Sequence, residues 1–295
     1  MINWRYHIMS IIAVFLALGL GVIIGIGLGD NGTVDLGQEG LLEDIRRDID
    51  ETRNENNVLN NERSINLRYQ DSTFPYLVSG QLLGKRIALV SSTTVSEEDR
   101  RNIVGAIETA SGQVVSTTLI ESGFDAAAIA ARSREVLSQY PQLAVIDEAS
   151  LTKVLGGQLA LEIGAANPPV ALAALQGTLV ASMAGNYELP VDAVILLTRA
   201  DSGYSPYYTE LEREFILSLK GAGVTIVGGE PADAPASEVP MFIAVGISSV
   251  DNIGSRIGQL SVVYALAGER DTYGVKPTSD MLIPIMRIPF GEEGA

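Results

Sequence analysis

The chain has 295 residues, 46% hydrophobic and 19% charged, and 20 Lys and Arg against 36 Asp and Glu give a formal net charge of −16. That length suits about two domains or one large α/β domain, and the apolar content excludes disorder throughout. The acidity repels phosphate backbones and excludes a general nucleic-acid binder. There is no cysteine and one histidine, His7, which excludes disulfide scaffolds, thiol nucleophiles, thiolate zinc sites and iron–sulfur clusters together.

The first predicted element is a membrane helix over Ile8 to Leu28, 21 residues without a charge. At a rise of roughly 1.5 Å per residue it reaches about 30 Å, the thickness of a bilayer core. A cleaved signal peptide is the competing reading, but its apolar run is usually shorter and ends in a small-x-small site. This run closes on Gly27-Leu28-Gly29-Asp30 instead. Arg5 precedes the helix, and Asp30, Asp35, Glu39, Glu43 and Asp44 follow it. Positive-inside logic keeps residues 1–7 in the cytoplasm and sends the main domain across the plasma membrane, as a single-pass protein. Trp4 and Tyr6 are placed as interfacial aromatics, and His7 falls at the cytosolic boundary, away from any chemistry outside. Gly21, Gly25 and Gly29 recur every four residues, a spacing that lets two helices pack closely or simply reflects how common glycine is in membrane helices.

Residues 29–78 read as a linker and helical stem. Leu42, Ile45, Ile49, Thr52, Asn56, Leu59, Arg63 and Asn66 alternate in steps of three and four, a heptad seam whose later half is polar. A solvated single helix with pairs such as Glu43 and Arg47 is the alternative. Helical residues from Gly37 to Ser72 would span roughly 54 Å. The weak point is expected at Gly29–Gly40, and Pro75 is expected to end the stem.

Residues 79–290 read as an extracytoplasmic α/β domain, with 291–295 a tail. Strands are expected at Arg86–Val90, Val114–Leu119, Leu143–Ile146, Ala193–Leu197, Val224–Val227 and Phe242–Val245. Helices are expected at Glu97–Ala110 (Ser96 capping, Gly112 ending it), from Asp125 to about Gln139, from Ser150 onward, at Tyr207–Lys220 and at Ile253–Leu266. Strands alternating with helices predict a doubly wound, Rossmann-like parallel sheet. The segments starting at Arg86 and Ala193 share strand, polar loop, acidic helix, glycine turn and strand, so two related halves are expected; shared βαβ physics would give the same pattern.

In such sheets ligands bind beyond the C-terminal strand ends. The loops there are Ser91-Ser92-Thr93-Thr94, Asp147-Glu148, Arg199-Ala200-Asp201-Ser202 and Ser248-Ser249-Val250-Asp251-Asn252. Ser91, Thr93, Asp201, Ser202, Asp251 and Asn252 form a candidate ligand or partner rim; the same residue types also serve as helix N-caps. No Gly-rich phosphate loop follows a strand, and no acid pair stands out for glycoside hydrolysis, so no catalytic residue is assigned and an enzyme is not expected. Copper prefers thiolate, thioether and imidazole donors. Beyond the membrane segment the chain offers only Met183, Met241, Met281 and Met286 of these, in apolar settings or next to them, so neither a metal site nor a cofactor is expected.

Two stretches carry a family resemblance. The opening MINWRYHIMSIIAVFLALGLGVIIG and the later SSVDNIGSRIGQLSVVYALAGERDTYGVKPTSDMLIP, Ser248 to Pro284, resemble the two ends of the actinobacterial copper-transporter family known as the MctB family. The order of anchor, polar stem and α/β domain agrees with it. The resemblance implies copper transport or homeostasis at the cell envelope. It also implies, as an alternative, a non-enzymatic interaction protein regulating cell division or peptidoglycan hydrolysis through a membrane partner. Expected partners are the lipid bilayer, a second copy through the membrane helix and stem, and an envelope membrane protein. An outer-membrane channel is usually a closed barrel of many strands, whereas one apolar helix anchors in an inner membrane.

Overall fold

The computed structural model describes residues 4–29, 33–137, 148–201, 205 and 207–285. The chain divides into two compact units, residues 1–68 and 69–295.

The first unit holds α1 (Trp4–Gly29) and most of α2 (Thr33–Val78). Within α1, His7–Gly27 is long and apolar enough to cross a membrane. α2 passes through Pro75 rather than stopping there. Phe74 and Val78, on either side of the proline, are buried in the core of the second unit, and that burial offsets the backbone hydrogen bond a proline forfeits.

The second unit is a seven-stranded sheet, among the described residues, in the order β3-β2-β1-β4-β5-β6-β7. Its strands are β1 (Arg86–Ser92), β2 (Gln113–Ile120), β3 (Val180–Gly185), β4 (Ala193–Leu197), β5 (Thr225–Gly229), β6 (Ser248–Val250) and β7 (Thr272–Tyr273). All pairings are parallel except β2 with β3. The sheet is covered on both faces, which is why its central strands β1 and β4 carry unbroken apolar runs, residues 87–90 and Ala193–Leu197. Ala88, Val90, Val194 and Leu196 point to one face, packed by α4 (Ala126–Leu137), α5 (Glu148–Gly164), α6 (Val170–Ala174), α7 (Tyr208–Gly221) and α8 (Val239–Val245). Ile87, Leu89, Ala193, Ile195 and Leu197 point to the other, packed by α3 (Glu97–Thr109), α9 (Arg256–Ala267) and the end of α2. The expected doubly wound order is present. The two segments expected as related halves are β1–α3–β2 and β4–α7–β5, side by side with their helices on opposite faces.

Several expectations change in detail. Phe242–Val245, expected as a strand, is the latter part of α8; a short apolar run has no period of its own. Pro240 in its first turn and Gly246, left-handed at φ 68, bound it as a helix. The strand lies just beyond, at Ser248–Val250, within a stretch expected to be a loop. α3 ends at Thr109, and Ser111 (φ 68), not Gly112, takes the left-handed conformation. Gly112 is needed for space, since a Cβ there would lie 2.9 Å from the Ile107 side chain. α5 starts at Glu148, two residues before Ser150. The antiparallel β3, the short α6 and β7 were not anticipated. The expected strand Leu143–Ile146 lies outside the described residues.

Candidate functional site

The C-terminal strand ends collect the polar side chains of this sheet. β1 leads into α3 on one face and β4 into α7 on the other, so the crevice of a doubly wound sheet lies between these two strands. The rim residues of β1 are committed to internal bonds. Ser91 is buried and its hydroxyl donates to the Ser92 carbonyl at 3.0 Å. Ser92 and Thr94 share a hydroxyl bond at 2.7 Å, and Thr93 donates to Glu121 Oε2 at 3.0 Å. Thr94 donates to the Arg199 carbonyl at 2.8 Å, which ties the β1 loop to the β4 loop across the crevice. Asp201 is half-buried beyond β4; Ser202 and Asp147 lie outside the described residues. Capping falls elsewhere: Ser96 accepts from the Asp99 amide, Asp125 from the Ala127 amide, and Ser255 from the Gly258 amide.

Asp251 is fully buried and is filled by the chain itself. Its carboxylate accepts from the amides of Val275 (2.7 Å) and Lys276 (2.8 Å) and from the Ser279 hydroxyl (2.6 Å). These bonds pin the segment after β7 across the ends of β5 and β6. Lys276 then reaches Glu230, at the end of β5, at 2.6 Å. Glu230, wholly buried, also accepts from the Ser237 hydroxyl and the Glu238 amide, both at 2.7 Å. Asn252 is buried with Oδ1 unpartnered among the described residues.

The acids that sequence reasoning missed are Glu212 and Glu238. Glu212 is on the core-facing stripe of α7 with Tyr208, Leu211, Phe215 and Ile216, and neither carboxylate oxygen has a partner among the described residues. Beside it is an apolar cavity of about 20 Å³, lined also by Val90, Leu196 and Phe215, the size of one water molecule. Glu238 precedes α8, and its Oε2 is likewise unpartnered. Burial pushes the Glu238 carboxyl up to about 7; the nearby Thr198 hydroxyl pulls it partly back, and the Glu230 charge adds to the rise. Burial raises Glu212 well above the ordinary carboxylate value, and the charge of Glu238 adds to it. An acid on an apolar helical stripe was the available signal: Glu212 stands four residues before Ile216 and one after Leu211.

No group of three or more His, Asp or Glu side chains among the described residues is arranged to hold a metal ion. Met183 and Met241 pack against one core layer and Met281 against the other; Met286 lies outside the described residues. Fold and site together define a doubly wound α/β domain that follows, in chain order, an N-terminal helix apolar enough to span a membrane and a long polar helix.

The chain belongs to the MctB family, described as copper transport outer membrane protein, whose sequence model matches residues 1–284. Similar proteins include Copper transporter MctB of Mycobacterium bovis and of two strains of Mycobacterium tuberculosis. Each is 23% identical over 291 residues, covering 90% of this chain and 92% of the relative. The family is named for transport rather than catalysis, and nothing among these relatives supports the alternative role in cell division.

Proposed function

We propose that this protein is a single-pass envelope protein acting in copper homeostasis, with its N-terminus in the cytoplasm and its α/β domain outside the plasma membrane. The observation that carries the copper role is the family match over residues 1–284; the family's description names the outer membrane, and the proposed plasma-membrane placement rests instead on the single long apolar helix among the described residues. The apolar span His7–Gly27, with Arg5 before it and no basic residue after it until Arg46, supports the topology. We take residues 8–28 as the anchor, 29–78 as the linker and stem, and 79–290 as the outer domain, with a repeated βαβ unit as the origin of its two halves. The Gly21, Gly25 and Gly29 face and the stem are read as surfaces for self-association; a Cβ at Gly21 or Gly25 would meet nothing within 4 Å.

The donor set shapes what copper handling means here. With no cysteine, His7 at the first residue of the apolar span and three methionines packed against apolar layers, the described residues of one copy offer carboxylates rather than soft donors. Two measurements test the reading. Deletion of the gene is expected to change cell-associated copper and copper tolerance, and unchanged values would refute the homeostatic role. Calorimetric titration of the detergent-solubilised chain with Cu(I) and Cu(II) is expected to show no saturable binding tighter than roughly micromolar, about −8 kcal/mol. A tight stoichiometric site would overturn the donor argument and leave the homeostatic role standing.

A further inference from the structure

The most exposed regular element beyond α1 is α2. Every side chain from Glu43 to Arg68 is exposed, including Ile45, Ile49 and Leu59 on the heptad seam at 43%, 44% and 62%. Its internal ion pairs are weak supports: Arg47 to Asp44 at 3.5 Å and Arg53 to Asp50 at 3.7 Å, each about seven-tenths exposed. This stretch of α2 buries no face of its own, and a partner helix would supply the packing it lacks.

We propose that α2 pairs with α2 of a second copy of this chain as a parallel, in-register two-stranded coiled coil, with Asn56 facing Asn56 across the seam. The partner's identity and direction follow from charge. With Leu42, Ile49, Asn56 and Arg63 at the a positions and Ile45, Thr52, Leu59 and Asn66 at d, the flank preceding each a holds Asp48, Glu55 and Glu62. The flank following each d holds Arg46 and Arg53. A parallel pair sets the acidic flank of one helix against the basic flank of the other, so Asp48 meets the second copy's Arg53 on both sides. Arg63, at a, has the second copy's Glu62 beside it. An antiparallel pair would set acid against acid and arginine against arginine. Asn56 at a single a position costs stability and fixes register, because a slipped pair would bury its amide against an aliphatic side chain. Val58 and Ile65 lie off this seam, so the contact is narrow. The proposal deepens the self-association reading and rests on α1 holding both copies in one membrane with the same orientation.

The chain has no native cysteine, so single-cysteine variants of the full chain in native membranes give the test. Ile49→Cys and Leu59→Cys sit on the seam, while Asn54→Cys and Asn61→Cys sit on the opposite face; none touches the folded core. On treatment with diamide, the two seam variants are expected to form disulfide-linked dimers at least ten-fold more readily than the outer two. A homodisulfide at both 49 and 59 requires parallel register, since an antiparallel pair brings a residue against itself only at its midpoint. Equal linking at all four positions, or none on the seam, would overturn the proposal. Alkaline carbonate extraction of the same membranes separates the two readings: release of the chain sinks the anchor, while a retained chain that does not link sinks the pairing alone.

Discussion

Glu238 makes the stability of the outer domain depend on pH in a direction opposite to that of most carboxylates. An acid whose folded pKa lies above its unfolded value binds more protons folded than unfolded across the interval between them, so stability falls as pH rises through it. For Glu238 that interval runs from 4.5 to about 7. At roughly 1.4 kcal/mol per pH unit the loss is about 3 kcal/mol by neutral pH, fully present as stability below the unfolded value. Glu212, raised for the same reason, carries the decline further. The groups facing the pair are Thr198 from the end of β4 and Glu230 from the end of β5, the latter neutralised by Lys276. No cation reaches Glu212 itself among the described residues. Urea unfolding of the detergent-solubilised chain, followed by far-UV circular dichroism at pH 5, 6, 7 and 8, reads this directly. Glu238→Gln removes the titration and is expected to gain about 2 kcal/mol on the native chain at pH 7 relative to pH 5. The comparison cancels the self-repulsion of a chain with net charge −16, because both proteins share it. Equal pH slopes in the two proteins, or a native chain that gains on the variant as pH rises, would refute the reasoning.

Two further outcomes follow from the same domain. Lys276→Met leaves the wholly buried Glu230 without its cation and is expected to cost about 3–5 kcal/mol in urea unfolding, with part of the loss recovered by adding Glu230→Gln. Gly156→Ala puts a Cβ 2.6 Å from the Leu211 carbonyl, where the backbones of α5 and α7 meet, and is expected to cost about 1–3 kcal/mol; a melting temperature equal to that of the native chain would show the two helices can part freely.

How much of this was readable in advance depends on where the information resides. β1 and β4 were legible because burial on both faces writes an uninterrupted apolar run, β2 because its valines and threonines are β-branched, and α3 because Ser96 and three acids mark its start. Phe242–Val245 was misread because four apolar residues fit either period; the helix is bounded by Pro240 and Gly246, and its Phe242 ring sits where Gly228 on β5 leaves room. β6 and β7 are three and two residues long and mostly polar, so they are held by their neighbours in the sheet and leave no pattern of their own. A residue list cannot distinguish a ligand-facing Asp251 from one already bonded to Val275, Lys276 and Ser279. Those donors stand 24 to 28 residues away in sequence.

That last distinction bears on where the domain can act. Half of the end of the sheet, from β5 to β7, is occupied by the chain's own segment after β7, whose amides and lysine satisfy Asp251 and Glu230 much as a bound ligand would. Across the other half, Thr94 ties the β1 loop to the β4 loop, and the hydroxyls of Ser91 and Ser92 are bonded inward. Besides Ser249 Oγ and Asn252 Oδ1, what is unsatisfied among the described residues is a buried acidic group, Glu212 and Glu238, with Thr198 beside Glu238. Buried acids without a cation favour the protonated, neutral form, and a neutral carboxyl is a poor metal ligand. The acids left unpaired here are therefore held for the neutral form, the opposite of what a cation site at this end of the sheet would require.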